Sequence, residues 1–155
     1  MFTEEERKEI EELIREAGGP RAAATDALRA VQRRRGWVSD EMGELAAMLG
    51  MTTAELDSIA TFYSLIYRKP VGKHVILICD SISCWINGHE EILAHLMSRL
   101  GVGLGCTTAD GQFTLLPAAC LGVCEKAPAM MVDEELHTEL TEEKVDDILE
   151  RYGRG

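Results

Sequence analysis

The chain has 155 residues, 46% of them hydrophobic, and 16 basic against 27 acidic side chains give it a formal net charge of -11. That length makes one domain or two small ones with enough apolar residues for a core, and no apolar run approaches the ~20 residues that cross a bilayer. Residues 1–70 carry 13 acids against 10 bases and residues 71–155 carry 14 against 6, a balance that argues against nucleic acid or an anionic membrane surface as partner and otherwise serves solubility.

The first 68 residues read as four short helices. Thr3-x-x-Glu6 is a capping box, in which two side chains satisfy the free N–H groups at a helix start. Ile10, Leu13, Ile14 and Ala17 follow as one apolar stripe, and Gly18-Gly19-Pro20 stops it. Ala24, Ala27, Leu28 and Val31 make a second stripe ending in Arg33-Arg34-Arg35-Gly36; cations there complement the helix dipole, and an anion site is the competing reading. Ser39 is expected to cap a third helix with Met42, Leu45, Ala46 and Leu49 inward. Thr52-x-x-Glu55 opens a fourth, with Ile59, Phe62, Tyr63 and Ile66 on one side. Short helices with brief links predict a small bundle over 1–70.

Lys69-Pro70-Val71-Gly72 breaks the helical period. Beyond it, over 71–155, strands and helices alternate. Val75 to Ile78 is a continuous apolar run, as in a strand buried on both faces. Ile86 to Leu100 reads as a helix with Leu93, Leu96, Met97 and Leu100 inward. Asp110-Gly111 signals a hairpin turn before a strand at Phe113 to Leu116. Ala129 to Val132 is a third strand, turned by Asp133-Glu134-Glu135 into a short fourth near His137. Thr141 caps a last helix with Val145, Ile148, Leu149 and Tyr152 inward. The long helical connection makes the first two strands parallel. The fold class is α+β or α/β: a helical bundle, then a thioredoxin-like arrangement of a helix pair on a small mixed sheet.

Four of the five cysteines form two tight pairs, Cys79-x4-Cys84 and Cys120-x3-Cys124, with 35 residues between them. Each pair follows a strand, so adjacent parallel strands would bring four sulfurs around one small cofactor. Four thiolates suit zinc or an iron–sulfur cluster. A gap of four lies at the edge of the zinc range, and loops of four and three suit the wider [2Fe–2S] cluster. Disulfides or buried thiols are the bland alternative. Disulfides need an oxidising compartment, and Met1-Phe2-Thr3 leads into Glu4-Glu5-Glu6 without a leader pattern. Cys106 lies in Gly103-Leu-Gly-Cys-Thr-Thr, a turn region outside both pairs, and is expected to be a bystander.

The segments Cys79-Asp-Ser-Ile-Ser-Cys84, Ile86-Asn-Gly-His-Glu-Glu-Ile, Thr107-Thr-Ala-Asp-Gly-Gln-Phe-Thr-Leu115 and Cys120-Leu-Gly-Val-Cys124 with Ala127-Pro128 together resemble the family of small [2Fe–2S] subunits of bacterial NADH:quinone oxidoreductase, respiratory complex I. Gly36-Trp-Val-Ser and Ala60-Thr-Phe-Tyr-Ser64 match in the N-terminal half, and the resemblance spans nearly the whole chain. It implies one [2Fe–2S] cluster on a thioredoxin-like ferredoxin domain, held by Cys79, Cys84, Cys120 and Cys124, behind a helical N-terminal domain. It implies a flavoprotein partner within the complex that holds FMN and NADH, so that this chain does no bond chemistry. The cluster would sit off the main electron wire as a store or tuning centre. The chain would be cytoplasmic and reach the inner membrane only through the assembled complex. Equivalent subunits of flavin-containing hydrogenases and formate dehydrogenases are close alternatives; a structural zinc adaptor is a more distant one.

Around the pairs, Gly122 and Gly88 are candidates to turn a backbone N–H toward a sulfur, Gly88 at a helix start whose dipole favours an anion. Asp80 and Glu125 adjoin ligands and would depress the potential, or are solvated carboxylates. Trp85 either shields the cluster or is an ordinary core or interface aromatic. His89 is five residues past Cys84, but four cysteines complete the shell without it. His74, His95 and His137 have no partner motif and are expected to be structural or solvent-facing. Trp37, Phe62 and Tyr63 are candidate anchors for a partner on the helical half, with bundle core as the alternative.

Overall fold

In a computed structural model, residues 1–39 and 42–153 are described, and the chain divides into two compact units, Met1–Pro70 and Val71–Gly155. The first holds α1 (Glu4–Glu16), α2 (Ala24–Arg35), α3 (Gly43–Met48) and α4 (Thr53–Phe62). Both capping boxes form. The Thr3 N–H donates to the Glu6 carboxylate at 2.7 Å while the Glu6 N–H donates to the Thr3 hydroxyl at 3.2 Å, and Thr52 and Glu55 repeat the exchange at 2.8 and 3.2 Å. The bundle core gathers Ile10, Ala24, Leu28, Val31, Leu45, Leu49 and Leu56, all buried.

Three local expectations need correction and one is extended. Ser39 does not cap α3; Met42 holds that position without a side-chain bond. Ala17 is exposed, because it already serves as the C-cap of α1. Arg33, Arg34 and Arg35 close the last turn of α2, as the dipole reading has it, and add contacts that reading lacks. They pair with α1, Arg33 and Arg34 with Glu9 at 3.2 and 2.8 Å and Arg35 with Glu6 at 3.2 Å. α4 buries Leu56 and Ala60 and ends at Phe62, which is 80% exposed and stacks edge-on against exposed Tyr63.

The second unit contains β1 (His74–Cys79), α5 (Ile82–Ile86), α6 (His89–Leu100), β2 (Cys106–Thr107), β3 (Phe113–Ala118), a single 3₁₀ turn (Cys124–Lys126), β4 (Met130–Val132), β5 (Glu135–His137) and α7 (Glu142–Gly153). The sheet order is β2-β3-β1-β4-β5. β1 and β3 are parallel, as the long crossover requires, with Cys79 opposite Ala118; the other pairings are antiparallel. β1 is buried from Val75 to Cys79. Its Ile76 and Ile78 pack with Ile92 and Leu96 of α6 and Val145, Ile148 and Leu149 of α7. Asp146 ties the two helices, accepting from His95 at 2.7 Å and Arg99 at 2.9 Å.

Two expectations change here. The helix expected from Ile86 to Leu100 begins only at His89, after the separate short α5. Gly88 adopts φ 101°, a conformation a side chain resists, so it ends the short α5 segment and becomes the N-cap of α6. Cys106 begins an exposed edge strand, β2, paired with Leu115, instead of lying in a turn.

Candidate metal centre

β1 ends on Cys79, and the next backbone groups are already anchored. The Cys79 N–H donates to the Ala129 carbonyl at 3.1 Å and the Asp80 N–H to the Ala118 carbonyl at 2.9 Å. α5 then carries Cys84 back beside Cys79, and the loop after β3 supplies Cys120 and, at the start of the 3₁₀ turn, Cys124. Cys79, Cys84 and Ala129 form a small buried cluster with Leu121, Val123 and Ala127 packed on it, so both cysteine loops share one apolar lining. All five cysteines are free thiols; Cys79 and Cys84 are buried, Cys120 and Cys124 exposed.

The sulfurs stand as two pairs. Cys120 Sγ lies 3.9 Å from Cys124 Sγ, and Cys79 and Cys84 are buried together in one apolar cluster. Among the described residues, no three His, Cys, Asp or Glu side chains converge as a single-ion site would. Backbone N–H groups favour charge on the sulfurs: Gly122, at φ 79°, donates to Cys120 Sγ at 3.3 Å, and the N–H groups of Leu121 and Ala129 act on Cys79 and Cys84. Burial pushes the Cys79 thiol up, but the Ser81 hydroxyl (3.3 Å from Sγ), the Ser81 and Leu121 N–H groups and the Cys84 thiol outweigh it and leave its pKa below the usual thiol value. Burial and the neighbouring Cys79 hold Cys84 above that value against the Ala129 N–H and the Ser81 hydroxyl. The pair is thus uneven, Cys79 held below the usual thiol value and Cys84 above it.

Among the described residues Gly88 gives no bond to a sulfur; it supplies the bend before α6. Asp80 and Glu125 are exposed. Trp85 is 57% exposed and forms, with Ile82 and Ile86 at 75% and 72%, an apolar stripe along α5 beside Cys84. His89 is buried with its Nδ1 2.8 Å from the Cys79 carbonyl oxygen. Cys106 lies on β2, its thiol 3.9 Å from the Leu104 carbonyl oxygen. Ser81 and the N–H groups of Leu121 and Ala129 escape a reading by motif. A hydroxyl two residues past a cysteine is the one available signal, and backbone donors leave none.

The chain matches the family model of the thioredoxin-like [2Fe–2S] ferredoxins over residues 10–153. It is 46% identical over 153 residues to the E-type subunit of NADH-quinone oxidoreductase from Pseudomonas aeruginosa, covering 98% of this chain and 92% of that one. It is 49% identical over 148 residues to the protein of the same name from Escherichia coli, covering 95% and 89%. Among solved structures, a chain of an NAD+-reducing [NiFe]-hydrogenase in the air-oxidised state shares the fold, with a TM-score of 0.70, 21% identity and coverage of 87% of this chain and 23% of that one.

Proposed function

The chain belongs to the thioredoxin-like [2Fe–2S] ferredoxin family, and we propose that it is the small electron-transfer subunit of an NADH:quinone oxidoreductase, with one [2Fe–2S] cluster on Cys79, Cys84, Cys120 and Cys124. The observation that carries this reading is the arrangement of the thiols as two pairs, one buried and one exposed, on loops that share one apolar lining, which matches a binuclear cluster with thiolates on each of two irons and joins a near full-length likeness to E-type subunits of that enzyme. When bound, the cluster supplies a one-electron couple. The chain's residues supply the rest. The four cysteines give soft anionic donors. The N–H groups of Gly122, Leu121 and Ala129 stabilise negative charge on the sulfurs and so favour the reduced state. Ala129, Leu121, Val123 and Ala127 keep water from the buried pair.

FMN and NADH belong, in this reading, to a flavoprotein partner within the complex, and this chain is a redox subunit without bond chemistry of its own. No helix among the described residues is long and apolar enough to cross a membrane. Contact with the inner membrane runs, in the same reading, through the assembled complex on its cytoplasmic side. The exposed α5 stripe beside Cys84 offers the flavoprotein a dry approach close to the cluster. In the helical unit, exposed Phe62 and Tyr63 are its anchors, with Trp37 as a third. The hydrogenase likeness carries the fold alone at 21% identity.

Replacing Cys79, Cys84, Cys120 or Cys124 by Ser, one at a time, tests the ligand set. Each variant should lose most of its iron, its sulfide and its brown colour. Full, stable loading of two irons in all four variants overturns the assignment, and a colourless wild type carrying zinc would turn it to an adaptor role.

A further inference from the structure

His89 opens α6, is only 6% exposed, and places Nδ1 2.8 Å from the Cys79 carbonyl oxygen. A carbonyl only accepts, so Nδ1 carries the hydrogen. The sheet and the facing loop already take the Cys79 and Asp80 N–H groups, and the His89 ring adds a side-chain donor to the Cys79 carbonyl. The contact exists because Gly88, at φ 101°, separates α5 from α6 and lets the first residue of the new helix return to the end of β1. An apolar ring would fill the same volume. A donor here gives the carbonyl a hydrogen bond that an apolar ring would not supply, and that carbonyl belongs to the residue whose Sγ lies 3.3 Å from the Ser81 hydroxyl.

We propose that His89 is a positioning residue for the first cluster ligand: its Nδ1–H holds the Cys79 carbonyl, fixes the arm that carries the Cys79 sulfur, and draws electron density from the Cys79–Asp80 peptide so that the reduced cluster is favoured. The inference rests on the ligand set proposed above and adds a residue that touches no sulfur. Hydrogen bonds one step removed from a metal both orient the ligand and tune its electronics.

The test uses the full chain in two states. His89→Phe keeps a ring and removes the donor; His89→Asn returns an N–H close to the position of Nδ1. In the metal-free chain, alkylation of Cys79, followed by mass spectrometry, should quicken about five- to tenfold in His89→Phe, the scale of one lost hydrogen bond, and return to the wild-type rate in His89→Asn. In the reconstituted chain, His89→Phe should lower the reduction potential and change the visible circular dichroism of the cluster, and His89→Asn should restore both. Wild-type potential and dichroism in His89→Phe overturn the proposal. So does a His89→Asn variant that matches His89→Phe in both readouts, including failure of both to load iron. A wild-type chain that takes up no pair of irons overturns the ligand set instead, and the alkylation rates then decide by themselves whether His89 pins Cys79.

Discussion

Glu6 is a capping residue and an ion-pair partner at once. Its carboxylate accepts from the Thr3 N–H and from Arg35 at 3.2 Å through two nitrogens. The Arg35 hydrogen bond first, then the Thr3 N–H, hold its pKa down at about 2, against the opposing effect of burial. A carboxylate whose folded pKa lies below its ordinary 4.5 stabilises fully above that value, and the contribution is lost as pH falls toward 2. Glu6→Gln should therefore cost about 1–2 kcal/mol at neutral pH, and the urea midpoints of variant and wild type should converge as the pH falls through that window. The capping half of this contact was legible in the sequence, because it is an i, i+3 relation. Its Arg35 half was not, because it depends on how α1 packs on α2. The same divide runs through the metal centre. The paired cysteines announce themselves by spacing and Ser81 lies only two residues past Cys79, whereas His89 and the Leu121 N–H come into play only once a bend at Gly88 and the loop after β3 are in place. Cys106 shows the converse: a cysteine outside the pairs, on an exposed edge strand. Cys106→Ala should leave the visible spectrum and potential of the reconstituted chain unchanged, and a bleached variant would put Cys106 in the ligand shell.

At the scale of elements, hydrophobic period located helices and strands well and assigned their faces less well. Period reports which residues share a side but not whether anything covers that side. Phe62 thus shares a stripe with Ile59 and Ile66 by spacing and is exposed in the fold. The parallel pairing of β1 with β3 was legible because a long helical connection leaves little choice; the two-residue β2 is too short for a period and is signalled only by the Asp110-Gly111 turn that follows it. The Lys69-Pro70-Val71-Gly72 segment read as a break, yet the reason for glycine at 72 is remote from it in sequence. A Cβ there would lie 2.8 Å from the Gly111 carbonyl oxygen and 3.1 Å from backbone carbons of Gln112 and Phe113. Its N–H also donates to the Thr114 hydroxyl at 2.7 Å. Backbone atoms of the β2–β3 hairpin have no rotamer in which to retreat, so the strand start must move. Gly72→Ala should cost roughly 2–3 kcal/mol, read as a lower denaturant midpoint; a midpoint equal to the wild type's would mean that the hairpin yields freely.

For the molecule as a whole, each unit carries its own core. The buried cluster of the helical unit draws only on residues from Ile10 to Ile66, and those of the sheet unit only on residues from Ile76 onward. All four cysteines of the pairs, and every backbone donor found near their sulfurs, lie in the second unit. A chain beginning at Lys69 therefore retains the full sheet, the α6–α7 pair and the complete set of thiols, and it should fold, take up two irons and turn brown. What it loses is a bundle whose fourth helix ends on an exposed Phe62–Tyr63 pair with Leu65 exposed beyond it. Exposed aromatics grouped in this way are costly on a chain that meets no partner, and aromatics dominate the energetics of protein contacts. The truncated chain should thus keep its spectrum and lose most of its affinity for the flavoprotein partner, and Phe62→Ala with Tyr63→Ala in the full chain should reproduce the loss without bleaching the cluster. Co-purification of each form with that flavoprotein decides the matter. Equal recovery by the truncated chain would move docking to the sheet unit, where the Ile82, Trp85 and Ile86 stripe beside Cys84 is the exposed apolar surface next to the metal centre.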